Sequence, residues 1–274
     1  VLAFSSSVAR GHVGLAAIVP ALQALGHEVI ALPTVLLSNH PGHAHVGGGQ
    51  IAADQLRAML DALAANGWLG EIDAVLTGYL PSVQHVDFAV DAIRRVRDAN
   101  PSAMVLCDPV LGDRPKGLYI DAAAADAIRD RLIPHASLVK LNAFELGWLT
   151  GRDIIDQSSV AAAARRLCSA PVVATSVPAG ETIANVLVEG GGVRSCRVPR
   201  LARMPNGTGD LLAALLLGHR LNAPVEDAFA RAVAGVDLVA RASSGLAELA
   251  LVPNLGSIAT VAPAIAEPIE AALS

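Results

Sequence analysis

Short apolar runs alternate with stretches of helical periodicity along most of the chain, and this alternation constrains the fold more than any other feature. Segments with apolar residues at helical spacing separate the runs. Alternation of this kind predicts a mainly parallel sheet with helices on both faces. We therefore expect an α/β fold, a three-layer α/β/α sandwich formed by a single domain over residues 1–274. The first five runs of strand length are 1–5, 29–32, 74–77, 103–107 and 138–141.

Turn-forming residues predict where several strands end. The second run is followed by Pro33 and Thr34, where we expect its strand to stop. A later run, 172–176, is expected to end at its Thr-Ser pair. Two further runs, 185–188 and 193–198, flank a Gly-Gly-Gly sequence and predict an antiparallel hairpin.

The composition fits a large buried core and excludes several kinds of partner. The 274 residues are 53% hydrophobic and only 16% charged, with a formal net charge of −5. Binding to nucleic acid or to an acidic membrane needs a basic stripe, so we expect neither partner. Three cysteines without a CxxC spacing indicate reduced thiols and a cytoplasmic protein. No apolar run reaches the ~20 residues of a membrane span, and the first residues lack the pattern of a signal peptide.

The segment RMPNGTGDLLAALLLG (203–218) joins a turn of small residues to the start of an apolar helix. The Gly-Thr-Gly turn, 207–209, lets backbone N–H groups converge without obstruction by Cβ atoms. Because N–H groups at a helix start favour negative charge, the turn predicts a seat for a phosphate or a developing anion. Asp210 follows at its rim. The residues alone leave a second interpretation open, since Asp is also a favoured residue at helix starts.

Two common nucleotide-binding motifs are absent from the sequence. The first strand is followed by Gly11-His12-Val13-Gly14 and a helix, which invites a dinucleotide interpretation. However, there is no G-x-G-x-x-G, and no acidic residue ends the second strand to hold a ribose. No G-x-x-x-x-G-K-[ST] occurs either. A nucleotide would therefore have to bind without a Walker loop.

The segment 34–49 is long and glycine-rich, which predicts an irregular functional loop instead of a plain connector. It carries three histidines, His40, His43 and His45. Such a cluster is compatible with zinc, but the spacing fits no common zinc site and no cysteine accompanies it. Metal binding is the weaker interpretation of this loop.

Polar residues follow or end several of the predicted strands. Asp108 comes directly after one, and an acid there points into the crevice where open α/β sheets bind ligands. Asn142 and Glu145 lie three apart at a helix start, hence on one face of its first turn. They fit an ordinary capping box, and an amide with a carboxylate also suits magnesium and its waters; both interpretations can hold. Tyr79, at another strand end, either packs in the core or forms the wall of a site.

Together these motifs resemble the pyridoxal kinase family of the ribokinase-like small-molecule kinases. The resemblance covers residues 1–244 and lies in SSSVARGHVG, TVLLSNHPGH, Gly78-Tyr79, CDPVLGDRPKGLYI, Asn-x-x-Glu and Gly-Thr-Gly-Asp, in the family's order. It implies that ATP donates its γ-phosphate to the 5′-hydroxymethyl group of pyridoxal, pyridoxine or pyridoxamine, with Mg²⁺ bound and a homodimer formed. Three alternatives remain open: a hydroxymethylpyrimidine kinase of thiamine synthesis, a sugar kinase, and a catalytically silent vitamin-binding protein.

The resemblance also implies roles for individual residues. The catalytic base would be Asp210, and the anion hole would be formed by Gly207, Thr208 and Gly209. The vitamin site would be bordered, besides Asp210, by Ser6, Val13, Val35, Leu37, His40, His43 and Tyr79. ATP would be bound by Asp108, Tyr119, Asn142, Glu145, Thr175, Ser176 and Thr208. Magnesium would be held by Asp113, through water, and Glu145.

The sequence departs from the family's pattern at positions that bear on substrate and cation. Pro41 and His43 stand where Thr and Tyr are common, so that a hydroxyl and a phenol near the substrate are lost. Leu15 replaces a common Asn. Lys140 occupies a position that is usually small or hydroxylic and linked to a monovalent cation. Its ammonium either stands where that cation binds or simply reaches solvent at the strand end.

Overall fold

The computed structural model describes residues 1–201 and 204–269, and all helices and strands below belong to these ranges. The strands are β1 (Leu2–Val8), β2 (Ile30–Leu37), β3 (Gly48–Gln50), β4 (Ala74–Thr77), β5 (Met104–Cys107), β6 (Gly112–Asp113), β7 (Gly117–Leu118), β8 (Leu138–Asn142), β9 (Val172–Ala179), β10 (Thr182–Glu189), β11 (Gly192–Pro199) and β12 (Glu267–Pro268). The α-helices are α1 (Leu15–Ala24), α2 (Ala53–Ala65), α3 (Val83–Ala99), α4 (Ala122–Ala127), α5 (Ala143–Thr150), α6 (Gln157–Leu167), α7 (Thr208–Arg220), α8 (Val225–Ala242) and α9 (Leu255–Ile258).

Ten of these strands form one sheet in the order β12-β11-β10-β9-β8-β5-β4-β1-β2-β3. Its six central strands, from β9 to β2, are all parallel to one another. Antiparallel strands complete both edges, and β10 with β11 forms the predicted hairpin. The small ribbon β6–β7 stands apart. The prediction of a mainly parallel central sheet is confirmed.

Helices cover both faces of the sheet, which gives the predicted three layers. Helices α2 to α6 pack against one face of the sheet and share a large apolar cluster with it. Helices α1, α7, α8 and α9 form a second cluster with the opposite face of the sheet. Alternate residues of β4 belong to opposite clusters: Val75 to the first, Ala74 and Leu76 to the second. Because both faces are buried, the central strands read as continuous apolar runs in the sequence.

Helix α7 is apolar on nearly every side. All its residues from Leu211 to Gly218 are buried, because the helix lies under the sheet and packs against both α1 and α8. This position in the core explains its leucine content. Within the described ranges, none of the helices combines the length and the hydropathy that crossing a membrane requires.

The prediction that the second strand ends at Pro33-Thr34 was wrong. The strand β2 continues to Leu37, so the irregular loop is only 38–47. Ser5 pairs with Pro33 but Ser6 pairs with Val35, which leaves Thr34 as an extra residue between the two pairs. The extra residue accommodates the proline, and the pairing of β1 with β2 resumes beyond it.

The strand β9 also extends past its predicted end at Ser176, reaching Ala179. Thr175 and Ser176 together lie opposite the single residue Asn185 of β10, which forms a bulge. Ser176 has a φ of 57°, a left-handed conformation uncommon for a residue other than glycine. The change from a parallel neighbour, β8, to an antiparallel one occurs at this strand.

Phe88 of α3 packs edge-on against Phe4 of β1, with ring centroids 5.1 Å apart and an interplanar angle of 65°. Both side chains are fully buried. We expect Phe88→Ala to lower the free energy of unfolding by about 3–5 kcal/mol, because the cavity cannot collapse in a packed core. Urea unfolding measures this loss. Ile155→Ala is the control: Ile155 is 67% exposed, and its truncation should change the free energy of unfolding by less than about 0.5 kcal/mol. Equal effects of the two substitutions would contradict the placement of Phe88.

Candidate active site

Polar side chains from several elements meet at the carboxyl edge of the parallel strands. Asp108 follows β5, while Lys140 lies within β8 and Asn142 ends it. Tyr79 comes two residues after β4, and Asp210 lies in the first turn of α7. The carboxyl ends of parallel strands share one edge, which is where open α/β sheets bind ligands. The structure thus brings the predicted base and most of the predicted ligand-binding residues to one crevice.

Gly207 is the N-cap of α7, so Thr208 and Gly209 of the predicted turn form the start of the helix itself. Gly207 has a φ of 103°, and a Cβ atom on it would strike the carbonyl oxygen of His12. Gly14, at the start of α1, has a φ of 55°, and its Cβ would strike the carbonyl oxygen of Ser6. Glycine therefore lets the turn, the loop after β1 and β1 itself approach one another closely. The N-terminal ends of α1 and α7 become neighbours at the crevice.

Asp210 is a partly buried carboxylate at the point where these two helix starts meet. Burial raises its pKa above the ordinary aspartate value. The backbone N–H of Gly14, the Lys140 ammonium and His40 oppose this shift in part, which also identifies its neighbours. A carboxylate with a raised pKa is a stronger base than an exposed one, so this environment suits proton abstraction.

Lys140 is buried and forms an ion pair with Asp108. The distance from Lys140 Nζ to Asp108 Oδ2 is 2.8 Å, and the two side chains are 6% and 2% exposed. The interpretation that this lysine reaches solvent was therefore wrong. Burial raises the pKa of Asp108, and the ammonium opposes the shift. Burial alone would lower the pKa of Lys140, but the charges of Asp108, Glu145 and Asp210 together raise it, so that the ammonium stays protonated at neutral pH.

Asn142 and Glu145 form the predicted capping box at the start of α5. Asn142 Oδ1 accepts from the Glu145 N–H at 3.0 Å, and Glu145 Oε2 accepts from the Asn142 N–H at 2.7 Å. Glu145 Oε1 also accepts from the N–H of Leu111 at 3.0 Å, and the Asn142 amide donates to the Gly112 carbonyl at 2.8 Å. Burial, followed by the charge of Asp108, raises the pKa of Glu145 to about 8. The pair thus ties α5 to the β6–β7 ribbon.

The β6–β7 ribbon carries Asp113 and leads to Tyr119. One oxygen of Asp113, Oδ1, is buried without a hydrogen-bond partner among the described residues. Lys116 Nζ lies 3.9 Å from Asp113 Oδ2 and 5.8 Å from the centroid of the Tyr119 ring. Burial and then the Asp113 carboxylate raise the pKa of Tyr119, whose side chain is 41% exposed. The Tyr79 hydroxyl donates to the Tyr119 carbonyl at 3.4 Å, which joins this ribbon to the end of β4.

The predicted vitamin-site residues come from β1, β2 and the segments that follow β1 and β4. Ser6 and Val35 are paired neighbours in the sheet, and Leu37 ends β2. Val13 and Val35 are buried, whereas Ser6 and Leu37 are partly exposed. These mostly apolar residues, here called the apolar wall, lie on the β2 side of the crevice, opposite β8.

The backbone of Tyr79 is held on both sides. Ser5 Oγ accepts from the Tyr79 N–H at 3.1 Å, and Thr34 Oγ1 donates to the Tyr79 carbonyl at 2.6 Å. Gly78 precedes it, where a Cβ atom would collide with the Ser5 side chain. The sequence did not indicate this role for Ser5 or Thr34, because Tyr79 follows a different strand, far away in the sequence. Together they fix the backbone from which the tyrosine ring projects.

The histidines of the 38–47 loop point to different partners. Nδ1 of His40 accepts from the Gly42 N–H at 3.0 Å and lies 3.2 Å from Asn206 Nδ2, beside the glycine turn. Burial, followed by the charges of Lys116 and His43, lowers the pKa of His40. Among the described residues, no group of three or more His, Cys, Asp or Glu side chains is arranged to hold a metal ion. The side chains of His40 and His43 link the loop to other protein groups.

Glu248 is a site-bordering residue that sequence reasoning missed. Its Oε1 lies 3.3 Å from Nε2 of His43, and its carboxylate also packs against Gly11. It follows α8 and lies beyond the last recognisable motif, so no local signal marks it. Only the folded chain shows that this segment closes over the loop after β1 and over the histidine loop.

Thr175 and Ser176 occupy the bulge of β9, one strand beyond β8. Thr175 pairs with Asn142 in the sheet, and Ser176 is exposed. Both lie farther along the crevice than the Asp210 turn. This position extends the crevice past the capping box of α5.

Comparison with known proteins identifies the family of the chain. A model of the phosphomethylpyrimidine kinase family matches residues 11–249. A pyridoxal kinase of Leifsonia xyli subsp. xyli is 40% identical over 265 residues, which cover 93% of this chain and 93% of that protein. The chain belongs to the pyridoxal kinase family. The resemblance inferred from its motifs is thereby confirmed, and as a member of this family the chain is a kinase of the ribokinase-like superfamily.

Solved structures of the pyridoxal kinase family have the same architecture. The pyridoxal kinase of Entamoeba histolytica matches with a TM-score of 0.91 and 27% identity, over 98% of both chains. The pyridoxal kinase of Leishmania donovani in complex with ADP and pyridoxamine also has a TM-score of 0.91, with 25% identity over 98% of this chain and 99% of that one. The three-layer fold is therefore the family's fold.

The close approach at Gly207 generates a prediction for this family member. We expect Gly207→Ala to lower the free energy of unfolding by about 1–3 kcal/mol, the usual cost of a strained backbone residue, and to weaken ADP binding. Both effects have one cause, because the turn must move to relieve the clash with the His12 carbonyl. Thermal unfolding and calorimetry measure them. Gly191→Ala is the control, since Gly191 has open space at its Cβ position. Unchanged ADP binding in Gly207→Ala would show that the turn does not contact phosphate.

Proposed function

We propose that the chain phosphorylates the 5′-hydroxymethyl group of pyridoxal, and of pyridoxine and pyridoxamine, with ATP as donor. The observation that carries this proposal is the placement of Asp210 beside the Gly207–Gly209 turn, at the boundary between the apolar wall and an acidic cluster formed by Asp108, Asp113 and Glu145. The family membership supports it. So does the related Leishmania donovani structure, which holds ADP and pyridoxamine.

Asp210 acts as the general base in this proposal. It accepts the hydroxymethyl proton as the oxygen approaches the γ-phosphorus, and the bond from phosphorus to the ADP oxygen breaks. The N–H groups of Gly207, Thr208 and Gly209 donate to the transferring phosphoryl group at the start of α7. Phosphoryl transfer requires mainly positioning and charge neutralisation, so these few groups are sufficient.

The donor set of the acidic cluster fits magnesium brought in with ATP. Asp113 Oδ1 is buried without a partner among the described residues, so it is available as a ligand. Glu145 already accepts two backbone N–H groups, and its remaining lone pairs suit a magnesium-bound water. Mg²⁺ keeps several waters and takes few carboxylates, which matches this sparse set. When bound, the ion neutralises charge on the phosphates.

The apolar wall would receive the pyridine ring. Tyr79 presents its ring from a backbone fixed by Ser5 and Thr34. Val13, Val35, Leu37 and Ser6 border the ring on the other side, and His40 and His43 border the mouth. ATP would extend from the turn past Asp108, Asn142 and Glu145. Its nucleoside would lie toward Tyr119, Thr175 and Ser176.

Substitution of the base tests the mechanism. We expect Asp210→Asn to fold and bind ADP normally but to lose at least about 10²-fold in turnover, as general-base removal does. Because burial raises the pKa of Asp210, the activity of the unmodified enzyme should fall at higher pH than an ordinary aspartate would predict. The base is lost by protonation as the pH falls through this raised pKa. A variant with near-normal turnover would remove Asp210 from the mechanism.

The choice of acceptor tests the substrate. The measurement is ADP release with pyridoxal, pyridoxine, pyridoxamine, hydroxymethylpyrimidine and ribose, each as kcat/KM. Pyridoxal should be phosphorylated with a raised KM, because Pro41 and His43 lack one or two polar contacts worth about 0.5–1.5 kcal/mol each. The family model that matches the chain is that of phosphomethylpyrimidine kinases, which makes hydroxymethylpyrimidine the second candidate substrate. A tenfold or greater preference for the pyrimidine would overturn the pyridoxal assignment and leave the kinase intact.

We further infer a single kinase domain over residues 1–274 that works as a cytoplasmic homodimer. One continuous sheet carries the residues of the crevice, which supports the single domain. The three cysteines are free thiols, in keeping with a reducing compartment. The dimer depends on the family resemblance alone, and light scattering of the purified chain decides it: a monomeric mass would contradict it.

A further inference from the structure

The chain uses lysine at only two places, and both are at the crevice. Of its 20 Lys and Arg residues, only Lys116 and Lys140 are lysines. Lys116 lies on the β6–β7 ribbon, and Lys140 lies near the end of β8. A lysine ammonium is a compact point charge, whereas the arginine guanidinium is a broad planar fork. A compact cation is therefore placed inside the acidic cluster of a chain that otherwise uses arginine.

The ammonium of Lys140 lies next to Gly209 of the glycine turn. Its Nζ is 2.8 Å from Asp108 Oδ2 and 3.1 Å from the position that a Cβ atom on Gly209 would occupy. Asp108 is its only hydrogen-bond partner among the described residues. Since an ammonium has three donors, two remain for other groups at the turn.

Four carboxylates surround or approach the phosphate path. Asp108, Glu145 and Asp210 are close enough to raise the pKa of Lys140, and Asp113 lies on the adjacent ribbon. Without a cation among them, the three aspartate carboxylates would repel both an incoming triphosphate and one another. A buried ion pair is weak evidence for stability in its own right. The position of Lys140 therefore needs a functional reason.

We propose that Lys140 is a positioning residue that serves as the fixed internal cation of the phosphoryl-transfer site. It holds Asp108, supports the Gly207–Gly209 turn from behind, and offsets the negative charge that would oppose ATP. It also favours the ionised form of Asp210, the proposed base. With a covalently attached ammonium at this point, the site has no need of a monovalent cation from solution. This inference rests on the proposed function for the role of Asp210.

The main test compares Lys140→Met with Arg97→Met. Arg97 is the control, because its guanidinium is partly buried and donates to Ser137 Oγ, just before the opposite end of the same strand, β8. Lys140→Met should lose about 10²-fold in kcat/KM, as removal of a fixed charged group from such a site does, and should bind ADP more weakly. Arg97→Met should keep both values. Wild-type values in Lys140→Met would overturn the proposal.

The pH profile separates the proposed role from a merely structural one. The charged groups that face Asp210 are Lys140, Asp108 and His40. Removal of the ammonium withdraws positive charge from Asp210, so the acid limb of kcat/KM should move to higher pH in Lys140→Met. Arg97→Met should leave the limb in place. An unmoved limb in Lys140→Met would exclude the effect on the base.

Cation rescue provides an independent readout. Lys140→Thr leaves space and a hydroxyl where the ammonium was, so its activity should rise by at least tenfold in ammonium or potassium chloride relative to tetramethylammonium chloride. The unmodified enzyme should respond to neither salt. Strong potassium activation of the unmodified enzyme would overturn the proposal, and so would the absence of rescue in a folded Lys140→Thr.

A double variant covers the case in which Lys140→Met fails to fold. Asp108→Asn/Lys140→Met removes both charges of the pair, and thermal unfolding with ADP calorimetry follows it. If this variant folds and binds ADP with wild-type affinity, or if it also fails to fold, the role of Lys140 is structural and the proposal is overturned. Folding with weakened ADP affinity would support it. Because ADP affinity does not depend on the acceptor, failure of the pyridoxal assignment alone would leave this result unchanged.

Discussion

The close approach of the loop after β1 to the turn before α7 is the contact on which the site depends. Gly207 and Gly14 permit it, since a Cβ atom at either would strike a carbonyl oxygen of His12 or Ser6. Two helix starts, each with unpaired N–H groups, thereby face one crevice. The partial positive charge that results is backbone charge, which needs no side chain to hold it in place. The N–H of Gly14, one of these groups, offsets part of the rise in pKa that burial causes at Asp210.

The charges of the site are distributed by the order of the strands. The strands β5 and β8 are neighbours in the sheet, so Asp108 and Lys140 meet at their ends although they are far apart in sequence. The helix α5 follows β8 immediately, which brings the carboxylate of Glu145 beside the same pair. Burial and then the charge of Asp108 raise the pKa of Glu145 to about 8, so this environment disfavours a second negative charge beside Asp108. The parallel topology thus creates an acidic cluster that a cation has to balance.

The features predicted from the sequence are those with a local cause. β4 has its predicted bounds, because a strand buried on both faces reads as an uninterrupted apolar run. The capping box of Asn142 and Glu145 is equally local. The continuation of β2 is not, because it depends on a bulge at Thr34 whose hydroxyl bonds the distant Tyr79 carbonyl. Glu248 was likewise missed, because only tertiary packing brings it to His43. Motifs at strand ends were predictable, whereas contacts between loops were not.

The two halves of the crevice differ in polarity, and Asp210 lies on the boundary. On the β2 side the wall is formed by Val13, Val35 and Tyr79, with few charges. On the β8 side stand Asp108 and Glu145, with Lys140 between them and the glycine turn. A neutral aromatic alcohol is favoured on the first side, because the wall would bury its ring. A metal-bound triphosphate is favoured on the second, where carboxylates attract its cation. In the mechanism proposed above, Asp210 at this boundary accepts a proton from a hydroxyl that projects from the ring toward the phosphates, so a hydroxymethyl substituent is a better acceptor than a hydroxyl on the ring itself.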